Sequence, residues 1–516
     1  MTNAVAEPAS LAEIAIRRLE HDPATPFLLT IDEHEPFDVQ TRTYGDVVAR
    51  ATALAEALAD AGVAAGEPVG CYLPNAPCWV VASLGLWWAG ASLAAVGTLL
   101  PGVEAARLFE LAGARTVVAA EGAQELPGFR VVTVDAEGFL AGGPAASIAA
   151  PPAVPGPDDP AAVFFTSGTT GRPKGIPYTH GEMVTAAKRI AGGYARNVEY
   201  RPTPAPAHLA PGVVLNPFGH TAGYVRLSFR MWIGRATVLI PKFTVPAMRA
   251  YVSRYQPDSL QLTPTMVHML ATSDEDLDLS SVKYVTTSTA PLATPTRELF
   301  ESRFGVPVMQ AYGMTEVGTV SQERFEDVRA GRRGPGSVGR PAVGVEIKIA
   351  PLEGDDRAEG EGEILVRAKD LPSTFVGGAE VPVDADGWFA TGDVGRMEDG
   401  ILYITGRAQE KIIVGGLNVY PAEVEDAVKA SALVHDAVVV GVPDDRLGER
   451  PVAGVVWAGE PHEDELIREL RDLLAAYKVP RQLFALDAVP LTPREKVDRR
   501  RAAQLAVEAL AEAAPS

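Results

Sequence analysis

The chain has 516 residues, of which 47% are hydrophobic, and its formal net charge at pH 7 is −20. This length exceeds one ordinary domain and allows two or three compact units with large buried cores. The negative charge argues against nucleic acid or an anionic membrane surface as the main partner, so any phosphate site must be a local basic pocket. The two cysteines, Cys71 and Cys78, have neither zinc-like spacing nor a secretory context, which indicates reduced thiols and predicts a cytoplasmic protein.

The first predicted elements alternate between helix and strand. Apolar residues at helical spacing predict a helix from Asp46 to Ala61, with a start signal at Thr43. The uncharged stretch 78–100 is long enough to cross a bilayer, but glycines interrupt it and prolines bracket it. A helix from Pro77 to about Trp88, a glycine turn and a strand from Ala91 to Val96 explain it better, so we expect no membrane span. The alternation predicts an α/β fold with a largely parallel sheet covered by helices.

A loop rich in glycine and hydroxyl groups follows the uncharged, strand-like run at 161–165. It reads Thr166-Ser167-Gly168-Thr169-Thr170-Gly171-Arg172-Pro173-Lys174-Gly175. Glycine lets backbone N–H groups approach a ligand, the hydroxyls add donors, and the two basic residues add positive charge, a combination that suits a polyphosphate. A flexible surface loop is the alternative for such a run taken alone. A Walker-type P-loop is excluded, because Pro173 precedes Lys174 and Gly175 stands where the magnesium-binding hydroxyl should be.

Three further motifs follow in the middle of the chain. His220 lies in the run 215–223 between small residues; a lone histidine is most often a core residue, and the alternative is a place beside the substrate. The run 287–292, Thr-Ser-Thr-Ala-Pro-Leu, follows a predicted strand. The run 310–316, Gln-Ala-Tyr-Gly-Met-Thr-Glu, combines an aromatic ring for adenine, a glycine for close approach, a hydroxyl for phosphate and a carboxylate suited to magnesium. Taken alone, it could also be a turn with a capping threonine.

The last motifs occupy the C-terminal quarter of the chain. Asp393 ends a Gly-Trp-Phe-Ala-Thr-Gly-Asp run, and its carboxylate can accept hydrogen bonds from both hydroxyls of a ribose. Arg407 follows in a Thr-Gly-Arg run, and Gly415 and Gly416 open the segment that ends in Asn-Val-Tyr-Pro-Ala-Glu-Val-Glu. Lys496 stands in the run 490–499 and, taken alone, is one surface lysine among many.

These motifs, in this order, resemble those of the adenylate-forming superfamily, which contains acyl-CoA synthetases, aryl-CoA ligases, luciferases and peptide-synthetase adenylation domains. The resemblance runs from about Tyr44 to Arg499, and the segment after Gly415 is most like that of acyl- or aryl-CoA ligases. It implies that ATP adenylates a small-molecule carboxylic acid and that the acyl group then passes to the thiol of coenzyme A. A carrier-protein phosphopantetheine is the alternative acceptor, and a catalytically silent nucleotide-binding protein is an alternative of another class.

The resemblance also implies roles for particular residues. Lys496, Thr166, Glu316 and His220 are expected to act in catalysis, with Glu316 as the ligand of Mg²⁺ and His220 beside the acyl group. Phe218, Thr287, Ser288 and Met314 are expected to border the acid. An apolar medium-chain or aromatic acid is the default expectation, and the three hydroxyls at 287–289 favour something smaller or more polar. The residues expected to bind nucleotide or coenzyme A are Ser167, Gly168, Thr169, Thr170, Gly171, Lys174, Thr289, Ala290, Pro291, Ala311, Tyr312, Gly313, Met314, Thr315, Asp393, Arg407, Gly415 and Gly416.

The implied fold has two parts. Residues 1–406 are expected to form a large α/β domain with covered sheets and a small barrel-like part, and residues 410–516 a small, mobile α+β lid. Residues 407–409 are expected to be the hinge between them. Two positions depart from the family pattern: Gln409 replaces the usual Asp or Lys of the hinge, and Glu495 replaces the glycine before Lys496.

Overall fold

The computed structural model describes residues 7–32, 36–141, 154–167, 173–194, 200–206, 208–351, 360–407, 410, 412–414, 417–444, 448–492 and 496–512. The elements up to the middle of the chain are α1 (Leu11–His21), β1 (Pro26–Ile31), β2 (Val39–Thr43), α2 (Tyr44–Asp60), β3 (Pro68–Leu73), α3 (Pro77–Trp88), β4 (Ser92–Gly97), α4 (Gly102–Ala112), β5 (Thr116–Ala120), β6 (Arg130–Val134), β7 (Pro160–Ser167), β8 (Pro173–Thr179), α5 (His180–Tyr194), β9 (Gly212–Val214), α6 (Thr221–Trp232), β10 (Thr237–Leu239) and α7 (Val245–Tyr255).

The remaining elements are β11 (Ser259–Leu262), α8 (Pro264–Thr272), β12 (Tyr284–Thr287), α9 (Thr294–Phe304), β13 (Val308–Met314), β14 (Gly318–Gln322), α10 (Phe325–Arg329), β15 (Ser337–Pro341), β16 (Val345–Ala350), β17 (Glu361–Ala368), β18 (Phe389–Glu398), β19 (Ile401–Arg407), β20 (Ile412–Val414), β21 (Leu417–Val419), α11 (Pro421–Lys429), β22 (Val434–Asp444), β23 (Gly448–Trp457), α12 (Glu463–Leu473), β24 (Gln482–Ala485) and α13 (Arg499–Glu512). This mixture of helices and strands confirms the predicted α/β class.

A six-stranded sheet carries at one edge the two strands that flank the predicted phosphate loop. Its strand order is β6-β5-β3-β4-β7-β8, and the pairs are parallel except for β7 with β8. The antiparallel pair at the edge places Thr166 opposite Lys174. The predicted loop therefore connects two neighbouring strands whose ends meet at one edge of a covered sheet.

The uncharged stretch that could have crossed a membrane is helix α3 followed by strand β4. Every residue of α3 is buried, and the helix packs against α2 and against the six-stranded sheet. Among the residues described, no helix combines the length and the hydropathy that crossing a membrane requires. Cys71 and Cys78, the two thiols of this region, are both buried and form no disulfide, as the sequence predicts.

A nine-stranded sheet supplies most of the remaining strands before residue 407. Its order is β11-β12-β13-β14-β15-β19-β18-β17-β16, parallel from β11 to β13 and antiparallel afterwards. The part expected to be barrel-like is this antiparallel portion, which the described strands leave as an open sheet. Two hydrophobic clusters consist only of residues from Ile412 onward, so the C-terminal part has cores of its own.

A buried hydrogen-bond network joins α3 to α6 in the largest core. The indole N–H of Trp79 donates to the Tyr224 hydroxyl at 2.6 Å, and the Ser83 hydroxyl contacts the same oxygen. Tyr224 is 0% exposed and Trp79 is 1% exposed. Polar groups buried this deeply need partners, because water cannot replace a lost hydrogen bond there.

We predict that Tyr224→Phe lowers the free energy of unfolding by about 1–3 kcal/mol, because it leaves a buried indole N–H without its acceptor. Urea denaturation followed by tryptophan fluorescence measures the change. Tyr255→Phe is the matched control, since Tyr255 is only partly buried and its ring packs on Tyr251. Equal midpoints for the two variants would contradict a structural role for this network.

Candidate active site

A single cleft of about 2750 Å³ collects the predicted site residues. Its walls come from the six-stranded sheet, the nine-stranded sheet and the C-terminal part. The predicted residues that line it are Thr166, Lys174, His220, Thr289, Ala290, Pro291, Ala311, Tyr312, Gly313, Met314, Thr315, Glu316, Asp393, Arg407 and Lys496. Ser167 pairs with Pro173 at the end of β7. The predicted residues Gly168, Thr169, Thr170, Gly171, Gly415 and Gly416, with Gln409 and Glu495, lie outside the described residues.

The C-terminal end of the predicted phosphate loop is tightly packed. A Cβ on Gly175 would lie 3.0 Å from Val376 and 3.2 Å from Val163, so a larger residue here would have to push these side chains aside. The backbone N–H of Val376 donates to the Gly175 carbonyl at 2.8 Å. The Lys174 ammonium lies 4.8 Å from the centre of the Phe375 ring. The lysine is therefore held against the cleft wall by an aromatic face as well as by its strand.

Glu316 is a partly buried carboxylate surrounded by cations. Burial raises its pKa above the ordinary value of a glutamic acid, while Lys174, Lys496 and Arg407 act in the opposite direction. The residue stands in the turn between β13 and β14, next to a very close approach of the two strands. A Cβ on Gly313 would lie 2.4 Å from the Gly318 carbonyl oxygen, so the tight turn needs glycine there. The Glu316 carboxylate therefore interacts electrostatically with cations from three segments that are distant in the sequence.

Asp393 connects three strands on one wall of the cleft. Its Oδ2 accepts a hydrogen bond from the Tyr312 hydroxyl at 2.5 Å, and its Oδ1 accepts one from Arg407 Nε at 2.8 Å. Burial, and then the adjacent carboxylate, raise the pKa of Tyr312 well above the usual value, so the phenol keeps the proton that it donates. Each oxygen of Asp393 still has a second lone pair available for a ribose hydroxyl.

Lys496 reaches the cleft from a short antiparallel turn. The backbone N–H of Thr492 donates to the Lys496 carbonyl at 2.7 Å, and the Lys496 N–H donates to the Thr492 hydroxyl at 3.3 Å. Leu491 and Val497 form a β-bridge beside them. The side chain of Lys496 is exposed and is one of the cations that act on Glu316.

An ion cluster lies directly behind this turn. Arg499 Nε donates to Glu410 at 2.8 Å, and Nη2 donates to Glu425 at 3.1 Å. Arg499 Nη1 contacts Glu425 and also donates to the Val439 carbonyl at 3.1 Å. Glu425 is 8% exposed. Sequence reasoning missed this cluster, although an arginine three residues after the predicted catalytic lysine was a visible signal.

The wall beside His220 differs from the expectation. Phe218 and Thr287, expected to border the acid, are 0% and 1% exposed and lie in the protein interior rather than along the cleft. Ser288 and Met314 do line the cleft, and so does Arg226, which sequence reasoning missed. Two arginines four residues apart in the otherwise largely apolar α6 were the signal that could have found Arg226.

Thr289 adds backbone strain to the same wall. Its φ is +79°, in the left-handed region that glycine adopts easily and a β-branched residue rarely does. Such a conformation costs of the order of 1–3 kcal/mol and commonly occurs at functional sites. The segment 288–291 is therefore held by its surroundings rather than by local preference.

Comparisons with known proteins identify relatives of this chain. The profile described as AMP-binding enzyme matches residues 17–374, and the AMP-binding enzyme C-terminal domain matches residues 423–496. A CoA ligase of Rhodococcus jostii (strain RHA1), named for a methyl-dioxo-octahydro-indenyl propanoyl group, is 33% identical to this chain, covering 88% of this chain and 92% of the relative. A sulfoacetate–CoA ligase of Cupriavidus necator is 30% identical, covering 96% of this chain and 98% of the relative.

A solved structure of a CoA synthetase has a similar fold. The o-succinylbenzoate CoA synthetase of Bacillus subtilis, in complex with its acyl-adenylate intermediate, superposes with a TM-score of 0.81 at 26% identity. The match covers 95% of this chain and 97% of that chain. The order of motifs, the common cleft and the two matching profiles lead to one conclusion: the chain belongs to the family of AMP-binding enzymes.

Proposed function

We propose that the protein is an ATP-dependent carboxylic acid–CoA ligase of the AMP-forming type. In the first step an oxygen of the acid attacks the α-phosphorus of ATP, the bond to the β-phosphate oxygen breaks, and pyrophosphate leaves. In the second step the thiol sulfur of coenzyme A attacks the acyl carbon and AMP leaves. Both steps transfer a group between anions, so the protein has mainly to position the reactants and neutralise charge.

The observation that carries this proposal is the set of charges around Glu316. Lys174 comes from the phosphate loop, Lys496 from the C-terminal part and Arg407 from the end of β19, and all three act on one carboxylate in one cleft. Lys174, with Thr166, Ser167 and the loop 168–171, would hold the β- and γ-phosphates. Lys496 would bridge the incoming carboxylate and the α-phosphate, where charge builds in the transition state.

The nucleotide would occupy the wall formed by the ends of β12, β13, β18 and β19. Asp393 accepts the ribose hydroxyls there, and Arg407 contacts the ribose or phosphate. The adenine lies between the segment 289–291 and the Tyr312 ring. The backbone of 311–315 approaches the nucleotide closely because Gly313 carries no side chain. His220 contacts the acyl group at the other end of the cleft.

The donors present fit a magnesium ion. No group of three or more His, Cys, Asp or Glu side chains is arranged to hold a metal in the described parts of the chain. Mg²⁺ usually takes one or two carboxylates from a protein and completes its shell with substrate phosphates and water. Glu316 is a carboxylate of this kind on the cleft wall. When bound there, the ion supplies positive charge next to the phosphates.

The two steps would use two positions of the C-terminal part. Residues 1–406 form the large domain, 407–409 the hinge and 410–516 the lid. Rotation at the hinge withdraws Lys496 after adenylation and brings Gly415 and Gly416 to the cleft for coenzyme A. In support, the hydrophobic clusters from Ile412 onward are separate from those of the preceding residues.

The class of reaction is tested by pyrophosphate release from Mg-ATP across a panel of carboxylic acids, with and without coenzyme A. Release followed by formation of a CoA thioester supports the ligase. Pyrophosphate release without formation of a CoA thioester would indicate that the acceptor is a carrier-protein phosphopantetheine. The named acids of the relatives range from sulfoacetate to long-chain fatty acids, so the panel must vary both length and charge.

We predict that Lys496→Ala slows adenylation by about 10²–10³-fold, because one preorganised charge is removed from the transition state. Thioester formation from supplied acyl-adenylate and coenzyme A should stay within about twofold of the unmodified protein, because that step does not use the ammonium group. Arg500→Ala, an exposed neighbour, is the control. Equal losses in both half-reactions would contradict the assigned role of Lys496.

We predict that Glu316→Gln raises the magnesium concentration needed for half-maximal adenylation by about tenfold or more, since the amide keeps the shape but loses the charge that attracts the ion. Titrating Mg²⁺ at saturating ATP measures the effect. Glu423→Gln serves as a control, because Glu423 lines the same cleft and pairs with Lys478. An unchanged magnesium requirement in Glu316→Gln would contradict the assignment of Glu316 as a ligand of Mg²⁺.

Arg499 is a positioning residue in this proposal. It stands three residues after Lys496 and joins the first turn of α13 to Glu410, the first residue of the lid, and to the buried Glu425. Removing one partner of a buried ion pair commonly costs about 3–5 kcal/mol, because the other charge stays buried. The loop that carries Lys496 would therefore lose its anchor.

We predict that Arg499→Ala lowers kcat for adenylation by about tenfold or more and leaves the KM for ATP nearly unchanged, because the lysine is misplaced while the nucleotide wall is intact. Arg499→Lys should recover part of the loss. The exposed Arg501→Ala is the matched control. A parallel loss of both half-reactions, or no recovery with lysine, would indicate a merely structural role.

A further inference from the structure

Two buried side chains donate hydrogen bonds to the turn that carries Glu316. The Tyr178 hydroxyl donates to the Thr315 carbonyl at 2.5 Å, and Arg189 Nη1 donates to the Val317 carbonyl at 2.6 Å. Tyr178 is 8% exposed and Arg189 is 5% exposed. The backbone is therefore bonded from outside the turn at the residue before Glu316 and at the residue after it.

The hydrogen bond within the turn is long by comparison. It runs from the Val317 N–H to the Met314 carbonyl at 3.3 Å, which is beyond the usual range for an N–H donor. The peptide groups on both sides of Glu316 set the direction in which its side chain leaves the backbone. The short bonds from Tyr178 and Arg189 therefore add restraint where the turn's own bond is weak.

Both donors come from the segment that follows the predicted phosphate loop. Tyr178 is on β8, four residues after Lys174, and because side chains alternate along a strand the two lie on the same face of it. The Tyr178 ring packs edge-on against Phe164 of β7, with 5.6 Å between the ring centroids. Arg189 is on α5, which begins directly after β8 and packs against β14. The loop lysine and the turn of Glu316 are thus joined through one strand and the helix after it.

Arg189 connects the turn to two further segments. Its Nη2 contacts the Asp370 carboxylate, and its Nε donates to the Val343 carbonyl at 3.3 Å. Asp370 follows β17, and Val343 lies between β15 and β16. The buried guanidinium therefore has a carboxylate partner, and its planar fork holds three segments in one arrangement.

We propose that Tyr178 and Arg189 are positioning residues for adenylation: they clamp the two carbonyls that flank Glu316 and so set the place of its carboxylate relative to the phosphate loop. Neither residue lines the cleft, so both act through Glu316. A functional side chain must be held within about 0.5 Å of its productive position, which requires supporting contacts of this kind. This inference rests on the proposed ligase function with Glu316 as the ligand of Mg²⁺.

The variant Tyr178→Phe removes the hydroxyl and keeps the ring. We expect the magnesium concentration for half-maximal adenylation to rise by about threefold to tenfold, as the loss of one hydrogen bond allows. Thioester formation from supplied acyl-adenylate should stay within about twofold, because that step involves no polyphosphate. The matched control is Tyr251→Phe: Tyr251 is 0% exposed and donates to the Pro211 carbonyl at 2.8 Å, and neither of these two residues lines the cleft.

A double-mutant cycle separates positioning from general destabilisation. If Tyr178 acts through the Glu316 carboxylate, adding Tyr178→Phe to Glu316→Gln should change the magnesium requirement by less than about twofold. Arg189→Met should raise the requirement by more than Tyr178→Phe does, and Arg189→Lys should recover part of the loss because the ammonium can still pair with Asp370. Thermal unfolding of each variant checks that the large domain remains folded, and Tyr178→Phe decides if Arg189→Met does not fold.

Metal binding tests the inference without any acid. Mn²⁺ suits the same oxygen ligands as Mg²⁺, and electron paramagnetic resonance measures the affinity of the protein for the Mn²⁺ complex of α,β-methylene-ATP. We expect Tyr178→Phe to weaken this binding by about threefold to tenfold and Tyr251→Phe to leave it unchanged. The affinity for the metal-free analogue, measured by calorimetry, should be the same in both variants.

The outcomes separate this inference from the proposed function. Weaker binding of the Mn²⁺ complex in Glu316→Gln but not in Tyr178→Phe overturns the inference and leaves the assignment of Glu316 intact. Unchanged binding in both variants overturns the inference together with that assignment. An effect of Tyr178→Phe that is equally large in the Glu316→Gln background, or that Tyr251→Phe reproduces, also overturns it. If no acid supports pyrophosphate release, the proposed function fails, and the Mn²⁺ measurement still decides the inference.

Discussion

The hydrogen-bonded carboxylate of Asp393 fixes the geometry of the whole cleft. It is 6% exposed, and its two oxygens hold the Tyr312 hydroxyl from β13 and the Arg407 guanidinium from β19. A carboxylate buried this far costs free energy unless its oxygens are bonded, so the three strands must keep their relative places. Arg407 also ends β19, and the preceding Gly406 packs so tightly on Tyr420 that a Cβ there would lie 2.5 Å from the ring. This wall of the cleft and the entry to the C-terminal part thus share one anchor.

The sequence predicted correctly those features that depend on interactions between residues close together in the chain. Helix α3 has the predicted bounds, because a proline at its start and a glycine turn after it act within a few residues. The run 310–316 lies on the cleft because its glycine permits a turn that no other residue fits. The contacts of Arg226 and Arg499 were not predictable in this way. Their partners are 62 and 74 residues away, and only the packing of separate sheets and helices brings them together.

The error about Phe218 and Thr287 has a similar origin. A motif indicates which segment lies near a ligand, but neighbouring side chains of an extended segment point in opposite directions. Thr287 ends β12 and faces the core, so Ser288 faces the cleft instead. Thr289 follows with a positive φ. The hydroxyls at 287–289 therefore do not act as a set, since one is buried, one binds Arg226 and one is carried on strained backbone.

The negative net charge of the whole chain and the positive charges inside the cleft act over different distances. The net charge of −20 repels anionic substrates in general, but at physiological ionic strength such repulsion between exposed charges is screened beyond about 8 Å. Inside the cleft, Lys174, Lys496, Arg407 and Arg226 lie close to any ligand that binds there, so salt screens their attraction less than it screens the distant surface charges. Three of these cations act on Glu316, and Arg226 donates a hydrogen bond to Ser288. The positive potential that a bound anion meets is therefore set by the side chains of the cleft rather than by the net charge of the chain.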